Sequence, residues 1–207
     1  MQTISGEIRV SDKTIEFFWD PASPYTYLAA TQIDAQAQRC GAQVNWRPFL
    51  IGKAFEATGN KPPVTVPAKG KYMSRDLRMW AKHYGVPFWF PRVFPVNSVA
   101  ALRIACALPP EQAGAWALAV MSLYWTKDAD ISQPDTLKAV AASLGLDGEA
   151  LLAATQDQAI KDRLRANTDE AIQRGVFGAP SFFVGEQMFW GNDRLVLLEE
   201  FLNGRLG

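Results

Sequence analysis

The sequence is poor in the side chains that carry redox and metal chemistry. Its two cysteines, Cys40 and Cys106, lie too far apart in the chain to form a Cys-x-x-Cys redox pair. We therefore expect two reduced thiols and no disulfide framework. The single histidine, His83, excludes a multi-histidine metal site or a histidine relay, and the sequence contains no cluster of metal-ligating residues. No bound metal is expected.

An excess of charge of one sign and long apolar runs are also absent. The 21 basic and 21 acidic residues cancel, so the composition gives no electrostatic reason to expect nucleic acid or an anionic membrane as a partner. No apolar run reaches the roughly 18 residues of a membrane-spanning helix. The residues before Thr14 lack the apolar core of a signal peptide. These absences predict a soluble, cytoplasmic protein.

The most informative segment is Asp20–Tyr27. It follows a short apolar run, Ile15–Trp19, which is typical of a buried strand, and it precedes a helical pattern. Ser23 is therefore predicted as the N-cap and Pro24 as the first helical residue. A helix N-terminus carries unpaired N–H groups and positive potential, and it binds anions such as a thiolate. An ordinary cap is the alternative interpretation, since serine is favoured wherever helices begin.

In thioredoxin-like redox enzymes the junction between this strand and this helix carries Cys-x-x-Cys. Here the position is occupied by Ser23, and no cysteine lies near it in the sequence. If the fold is the same, the sulfur has to come from a bound molecule.

The hydrophobic pattern predicts a β-α-β unit, a block of helices and a β-β-α unit. A helix from Tyr25 to about Arg39 and a parallel strand at Gln43–Pro48 complete the first unit. A loop rich in glycine and proline, Gly52–Pro67, follows, and loops of this length without regular structure are often functional. The pattern is then helical from Lys69 to about Leu144 and from Gln156 to Arg174.

The last unit is a predicted hairpin, Ser181–Val184 and Gln187–Trp190, turned by Gly185-Glu186 and followed by a helix over Asp193–Leu202. This order predicts an α/β, thioredoxin-like fold with an all-helical insertion domain. The expected division is a thioredoxin-like domain over residues 14–67 and 175–207 and a helical insertion over residues 68–174.

Ala179-Pro180 lies directly before the hairpin. An X-Pro bond at the start of a strand can be cis, and we expect it to be cis here. The backbone N–H and C=O of Ala179 would then be free to pair with an extended ligand. A trans proline that breaks a loop is the alternative.

Four polar residues are candidates for ligand contacts. Asn192 and Asp193 follow a glycine and open the last helix, where Asp193 suits an ammonium group and the backbone N–H groups suit a carboxylate. Asn60 and Lys69 bracket the end of the proline-rich loop. Helix capping for the first pair and simple solvation for the second are the alternatives.

The sequence is rich in aromatic residues, with seven Trp, twelve Phe and five Tyr. Most are expected to fill the core. Phe88-Trp89-Phe90-Pro91 lies in a predicted loop and is the best candidate for a pocket wall. The aromatic residues considered for a pocket are Trp19, Trp80, Trp89, Phe94, Trp125 and Trp190.

Eight motifs together resemble the 2-hydroxychromene-2-carboxylate isomerases, which are relatives of the kappa-class glutathione transferases in the DsbA-like branch of the thioredoxin fold. The resemblance runs in order over about residues 14–203 and leaves the first dozen residues as an extension. The motifs are Ser23-Pro24-Tyr25-Thr26-Tyr27-Leu28, Trp46-Arg47-Pro48-Phe49-Leu50, Ala57-Thr58-Gly59-Asn60-Lys61-Pro62-Pro63, Pro67-Ala68-Lys69-Gly70-Lys71-Tyr72-Met73, Tyr84-Gly85-Val86-Pro87-Phe88, Phe94-Pro95-Val96-Asn97, Gly175-Val176-Phe177-Gly178-Ala179-Pro180 and Phe189-Trp190-Gly191-Asn192-Asp193-Arg194.

The resemblance implies glutathione as cofactor and a homodimer as the assembly. Ser23 would hold the glutathione sulfur, and the Ala179 backbone before a cis-Pro180 would pair with the cysteinyl part. The polar residues around these two would bind the ends of glutathione. By this resemblance the glycyl end falls to Asn60 and Lys69, and the γ-glutamyl end to Asn192 and Asp193.

The resemblance also implies the reaction, which interconverts 2-hydroxychromene-2-carboxylate and trans-o-hydroxybenzylidenepyruvate in bacterial naphthalene breakdown. Tyr25, Trp89 and Arg92 are the expected substrate-pocket residues, and Lys69 or Arg92 would hold the substrate carboxylate. A kappa-type transferase or peroxidase is the first alternative, because it would share every glutathione contact. A thiol-disulfide oxidoreductase is disfavoured by the missing Cys-x-x-Cys, and a catalytically silent glutathione-binding protein stays open.

Overall fold

The computed structural model describes residues 13–206, so the first dozen residues, interpreted above as an extension, lie outside the described part. Four strands and nine helices follow each other in this part of the chain. They are β1 (Thr14–Trp19), α1 (Pro24–Arg39), β2 (Gln43–Pro48), α2 (Ile51–Thr58), α3 (Pro67–Tyr84), α4 (Val99–Ala107), α5 (Pro110–Lys127), α6 (Pro134–Ser143), α7 (Gly148–Ala154), α8 (Gln158–Gln173), β3 (Ser181–Val184), β4 (Gln187–Trp190) and α9 (Leu195–Leu202).

The strands form one mixed sheet in the order β2-β1-β3-β4. β1 is parallel to β2, with Phe17 opposite Trp46, and antiparallel to β3, with Phe17 opposite Phe182. β3 and β4 form the antiparallel hairpin around Gly185-Glu186. The predicted parallel pair and the predicted hairpin are both confirmed, and helices α3–α8 lie between β2 and β3 as the expected helical insertion.

Both faces of the sheet are covered by packed side chains. Successive side chains of β1 point to opposite faces, so Phe17 and Phe18 lie in different clusters. On one face Phe17 lies with its ring centroid 4.8 Å from that of Phe182, within the large core shared with the helices. On the other face Phe18 lies in a smaller cluster with Ala54 of α2 and Ala171 of α8. That smaller cluster also contains Ala179, so it packs α2 beside the segment that leads into β3.

The tryptophans that were considered for a pocket differ in exposure, and Trp80 is half-buried. Trp19 and Trp125 are completely buried and belong to the core, whereas Trp89 is 62% exposed and Trp190 is 46% exposed. Phe88 stacks on Trp125 with the ring centroids 5.7 Å apart. The predicted pocket segment therefore contributes Phe88 to the packing around Trp125 and leaves Trp89 open to solvent.

The predicted loop over Gly52–Pro67 is wrong for most of its length. Residues 51–58 form helix α2, and Pro63–Thr65 form a 3-10 turn. The sequence pattern for a helix is weak here, because the helix has only eight residues and its second residue is a glycine. Burial of Ala54 stabilises this helix through tertiary packing, and Gly59, with φ of 69°, ends it in the left-handed conformation.

Two further elements differ from the prediction. The helix expected to begin at Gln156 begins at Gln158, after a separate helix α7 whose N-cap is Asp147. The closing helix begins at Leu195, because Asn192–Arg194 form a 3-10 turn. Among residues 13–206, no helix is both long enough and apolar enough to cross a membrane.

A packing constraint at Gly114 generates a stability prediction. A Cβ at Gly114 in α5 would lie 2.7 Å from Trp46 Nε1, and Trp46 is buried in the main core. The substitution Gly114→Ala is expected to destabilise the fold by about 1–3 kcal/mol through overpacking. The measurement is the free energy of unfolding in urea.

Gly52 in α2 provides the matched control. An added Cβ there meets no heavy atom within 4 Å. Gly52→Ala is therefore expected to stabilise the protein by about 0.4–1 kcal/mol, since alanine restricts the unfolded chain more than glycine does. If Gly114→Ala raised the free energy of unfolding as Gly52→Ala does, the close packing of Gly114 against Trp46 would be contradicted.

Candidate active site

Ser23 occupies the N-cap of α1, as predicted. Its backbone is extended, with φ of −95° and ψ of 121°, Pro24 follows at the first helical position, and Thr26 N–H donates to Ser23 Oγ over 3.3 Å. The side chain is buried at 6% exposure. Ser23 thus places a hydroxyl at the positive end of a 16-residue helix.

The Ser23 hydroxyl donates a hydrogen bond to the carbonyl oxygen of Ala179 over 2.9 Å. The Ala179-Pro180 peptide bond is cis, as predicted. The Pro180 carbonyl is occupied by Gly191 N–H at 3.0 Å. The two groups predicted to meet the central part of a ligand therefore face each other, although their positions in the sequence are far apart. A carbonyl oxygen can accept two hydrogen bonds, so Ala179 can still accept one from a ligand N–H.

Two cavities share the side chains of Tyr25 and Tyr72, and Ala179 lines one of them. The first has a volume of about 380 Å³, and apart from Lys69 its lining is apolar or tyrosine. The second has a volume of about 390 Å³ and is lined by Ala179 and by two carboxylates, Asp76 and Asp193. Lys69 is therefore the charged group of the first cavity, whereas the second contains the two carboxylates and also the guanidinium of Arg194.

Asp76 is a site residue that the sequence reasoning missed. The Tyr25 hydroxyl donates to Asp76 Oδ2 over 2.8 Å, and the Tyr72 hydroxyl lies 3.5 Å from Oδ1. Burial, and secondly the hydrogen bond to Asp76, raises the pKa of Tyr25, so this hydroxyl keeps its proton at neutral pH. The available signal was the spacing of four between Tyr72 and Asp76, which places them on the same face of α3.

Asn192 and Asp193 line the second cavity, together with Asp76 and Ala179. Asn192 is 2% exposed, its carbonyl accepts from the Tyr84 hydroxyl over 3.1 Å, and its Nδ2 has no hydrogen-bond partner in the described structure. Asp193 pairs with Arg194 at 2.5 Å. Gly191, with φ of 111°, permits this turn, because a Cβ there would lie 2.4 Å from Asp193 Oδ1.

Asn60 is attached to the same region by a side-chain contact. Its Nδ2 donates to the carbonyl of Phe177 over 2.8 Å, two residues before Ala179, and its Oδ1 accepts from Lys61 N–H over 2.8 Å. The structure therefore holds the Asn60 amide beside the segment that leads through Ala179 into β3. The amide keeps one N–H for another partner.

Trp89 and Arg92 lie on a different segment. Arg92 is held by Asp128, which accepts from its backbone N–H at 2.7 Å and from its Nε at 2.5 Å. Between residues 13 and 206, no hydrogen bond or ion pair joins either side chain to the other predicted site residues. The segment reaches the Ser23 turn indirectly, because Trp89 N–H donates to the Trp125 carbonyl and Trp125 Nε1 donates to the Pro21 carbonyl over 2.9 Å.

Comparison with known proteins identifies the family of this chain. The family model of the DSBA-like thioredoxin domain matches residues 14–203. A 2-hydroxychromene-2-carboxylate isomerase of Sphingobium xenophagum is 39% identical over 194 residues, covering 92% of this chain and 98% of its own. Glutathione S-transferase kappa 1 of Homo sapiens is 30% identical over 205 residues, covering 92% and 91%.

A solved structure of a 2-hydroxychromene-2-carboxylate isomerase superposes with a TM-score of 0.86 at 29% identity, covering 92% of this chain and 95% of that one. The fold predicted from the sequence, thioredoxin-like with a helical insertion, is therefore confirmed. The chain belongs to the DSBA-like thioredoxin domain family, and within it to the enzymes named 2-hydroxychromene-2-carboxylate isomerase, which are related to the kappa-class glutathione transferases.

Proposed function

We propose that the protein is a glutathione-dependent cis-trans isomerase that interconverts 2-hydroxychromene-2-carboxylate and trans-o-hydroxybenzylidenepyruvate. The observation that carries this proposal is the Ser23 hydroxyl at the N-terminus of α1, 2.9 Å from the Ala179 carbonyl. The site offers an anion-binding helix end and a serine hydroxyl but no cysteine, so a thiol has to arrive with a ligand. The named relatives are isomerases and glutathione transferases.

The charges around the site fit glutathione along its length. The cavity with Lys69 suits the glycyl carboxylate, and Asn60, which the family resemblance assigns to the same end, is held beside Phe177. In the other cavity, which Arg194 also lines, Asp76 and Asp193 suit the ammonium of the γ-glutamyl end. The buried Nδ2 of Asn192 is a donor without an acceptor in the described structure, and the γ-glutamyl carboxylate would supply one. The cysteinyl part would then lie alongside the contact between Ser23 and Ala179.

Ser23 and the helix N-terminus would hold the sulfur as a thiolate. A free thiol of this kind titrates near about 8.5. The helix end contributes about 0.3–2 kcal/mol to an anion and a hydrogen bond to a charged group about 1.5–3 kcal/mol. At about 1.4 kcal/mol per pKa unit, these would lower the thiol pKa by roughly one to three units. Ser23 acts here as a hydrogen-bond donor.

When bound, glutathione supplies a thiolate that adds reversibly to the ring-opened enone, so that rotation about the former double bond and elimination give the trans isomer. Ser23 turns its hydroxyl from Ala179 toward the sulfur and stabilises the charge there. Lys69 pairs with the substrate carboxylate or with the glycyl carboxylate. Tyr25 borders both cavities and keeps its proton, so it can donate a hydrogen bond to substrate oxygen.

An assay with 2-hydroxychromene-2-carboxylate tests the proposal directly. Isomerisation is followed by absorbance with and without glutathione, and free thiol is titrated in the same samples. We expect isomerisation that requires glutathione and leaves the thiol pool unchanged. Loss of thiol with a general electrophile, without isomerisation, would instead assign the protein to the kappa-type transferases, which the 30% identity to the human enzyme favours as the second candidate.

Ser23→Ala tests the thiol contact. Loss of a hydrogen bond to a charged group, worth about 1.5–3 kcal/mol, is expected to reduce turnover roughly 10- to 150-fold and to raise the pKa of bound glutathione toward its free value. The thiolate is measured by its ultraviolet absorbance as a function of pH. Ser143→Ala is the matched control, since that hydroxyl also donates to a backbone carbonyl but lies in α6. Unchanged turnover in Ser23→Ala would reject the role.

Lys69→Met tests which end of glutathione lies in the Lys69 cavity. Lys69 is exposed, so the loss is expected to be modest, about two- to fivefold in glutathione affinity. The affinity for γ-glutamylcysteine, which lacks the glycyl carboxylate, should not change. Lys71→Met is the control, because Lys71 is exposed on the same helix and does not line the cavity. Equal losses for both ligands would place the glycyl end elsewhere.

A further inference from the structure

The carboxylate of Asp20 is buried at the base of the candidate site. It directly follows β1, is 2% exposed, and has no ion-pair partner in the described part of the chain. Oδ1 accepts from Ala22 N–H at 2.9 Å, and Oδ2 accepts from Ile51 N–H at 3.1 Å. Burial raises the pKa of this carboxyl, while the two backbone N–H groups and the nearby Ser98 side chain act to lower it. Burying a carboxyl without a cation costs free energy, which the two backbone hydrogen bonds partly offset.

The two donors belong to different segments beside the Ser23 turn. Ala22 lies in the turn before Ser23, and the Asp20 carbonyl also accepts from Ser23 N–H over 3.1 Å. Ile51 is the first residue of α2. One side chain therefore fixes the Ser23 turn relative to the beginning of α2.

These contacts close a ring of hydrogen bonds and short chain segments. From Asp20 the ring runs through α2 to Asn60, whose side chain donates to Phe177 over 2.8 Å. From there the chain leads to Ala179, whose carbonyl accepts from Ser23 over 2.9 Å, and the Ser23 turn returns to Asp20. The residues proposed for the sulfur and for the glycyl end of glutathione are both on this ring.

We propose that Asp20 is a positioning residue that sets the distance between the Ser23 turn and Asn60, and thereby makes the site selective for a thiol ligand long enough to reach both. The inference rests on the proposed binding of glutathione. Asp20 itself touches no ligand in this arrangement. Its effect passes through the backbone of Ala22 on one side and through helix α2 on the other.

Asp20→Asn tests this role, because asparagine keeps the shape of the side chain but replaces one acceptor oxygen with a donor. One of the two backbone N–H groups then loses its partner. The affinity for glutathione is expected to fall about tenfold, which corresponds to about 1.4 kcal/mol. The affinity for γ-glutamylcysteine, which does not reach the Asn60 end, is expected to fall by about threefold or less. Both are measured by titration calorimetry on the full chain.

Thr168→Val is the matched control. Thr168 Oγ1 accepts from Leu50 N–H over 3.1 Å, so this variant removes an acceptor from the same helix start while leaving the Ser23 turn attached to Asp20. The preference for glutathione over γ-glutamylcysteine should stay within about twofold of the wild type. A general loss of stability would weaken both ligands alike, whereas the positioning role changes their ratio.

Ser98→Ala is the second variant, for use if thermal unfolding shows that Asp20→Asn does not fold. It removes the hydroxyl that lies near the Asp20 carboxyl and should reduce the preference about two- to threefold. If Asp20→Asn weakened both ligands equally, or if Thr168→Val changed the ratio of the two affinities as much, the positioning role of Asp20 would be overturned. The proposed function would still stand in that case. If the wild-type protein did not bind glutathione, the proposed function would be overturned and this inference with it.

Discussion

The candidate site depends on the hydrogen bond between Ser23 and Ala179, which joins residues 156 positions apart in the sequence. It connects the end of β1 to the beginning of β3, two antiparallel neighbours at the centre of the sheet. Because β1 has β2 on one side and β3 on the other, neither partner of this contact can move without disturbing the pairing of the central strands. The helix N-terminus and the Ala179 carbonyl, which can accept a second hydrogen bond, are therefore presented to a ligand next to the two central strands.

The packing of the sheet explains why this region is rigid on both sides. Phe17 and Phe182 stack in the large core, while Phe18 lies in the smaller cluster with Ala54 and Ala179. On that second face Glu16 pairs with Arg47 at 2.8 Å and with Arg174 at 2.7 Å, and the Arg174 guanidinium lies 3.9 Å from the Phe183 ring centroid. These contacts attach β1 and β2 to the end of α8. Aromatic packing and partly exposed ion pairs together hold the strands that carry the site.

The site combines groups whose position is fixed by the backbone with charged side chains that line the cavities. The Ser23 turn and Ala179 provide backbone and hydroxyl groups whose geometry is fixed by strands and by a helix end. Lys69 lines one cavity, and Asp76, Asp193 and Arg194 line the other, with Tyr25 and Tyr72 shared by both.

The sequence alone determined the features that obey local rules. Ser23 as N-cap with Pro24 after it, the strands of the hairpin and the cis bond before Pro180 were all predicted, because capping, alternation and proline placement act over a few neighbouring residues. The family resemblance added the whole architecture, since its motifs span the chain in order.

Tertiary structure decided the contacts between distant segments. Helix α2 was missed because its stability comes from burial of Ala54 rather than from its short sequence, and the roles of Asp20 and Asp76 depend on partners 31 and 51 positions away. The pairing of Arg92 with Asp128 could not be read from either residue. Local pattern specifies which backbone geometry a segment adopts, whereas the partner of a polar side chain is set by which segments the folded core brings together.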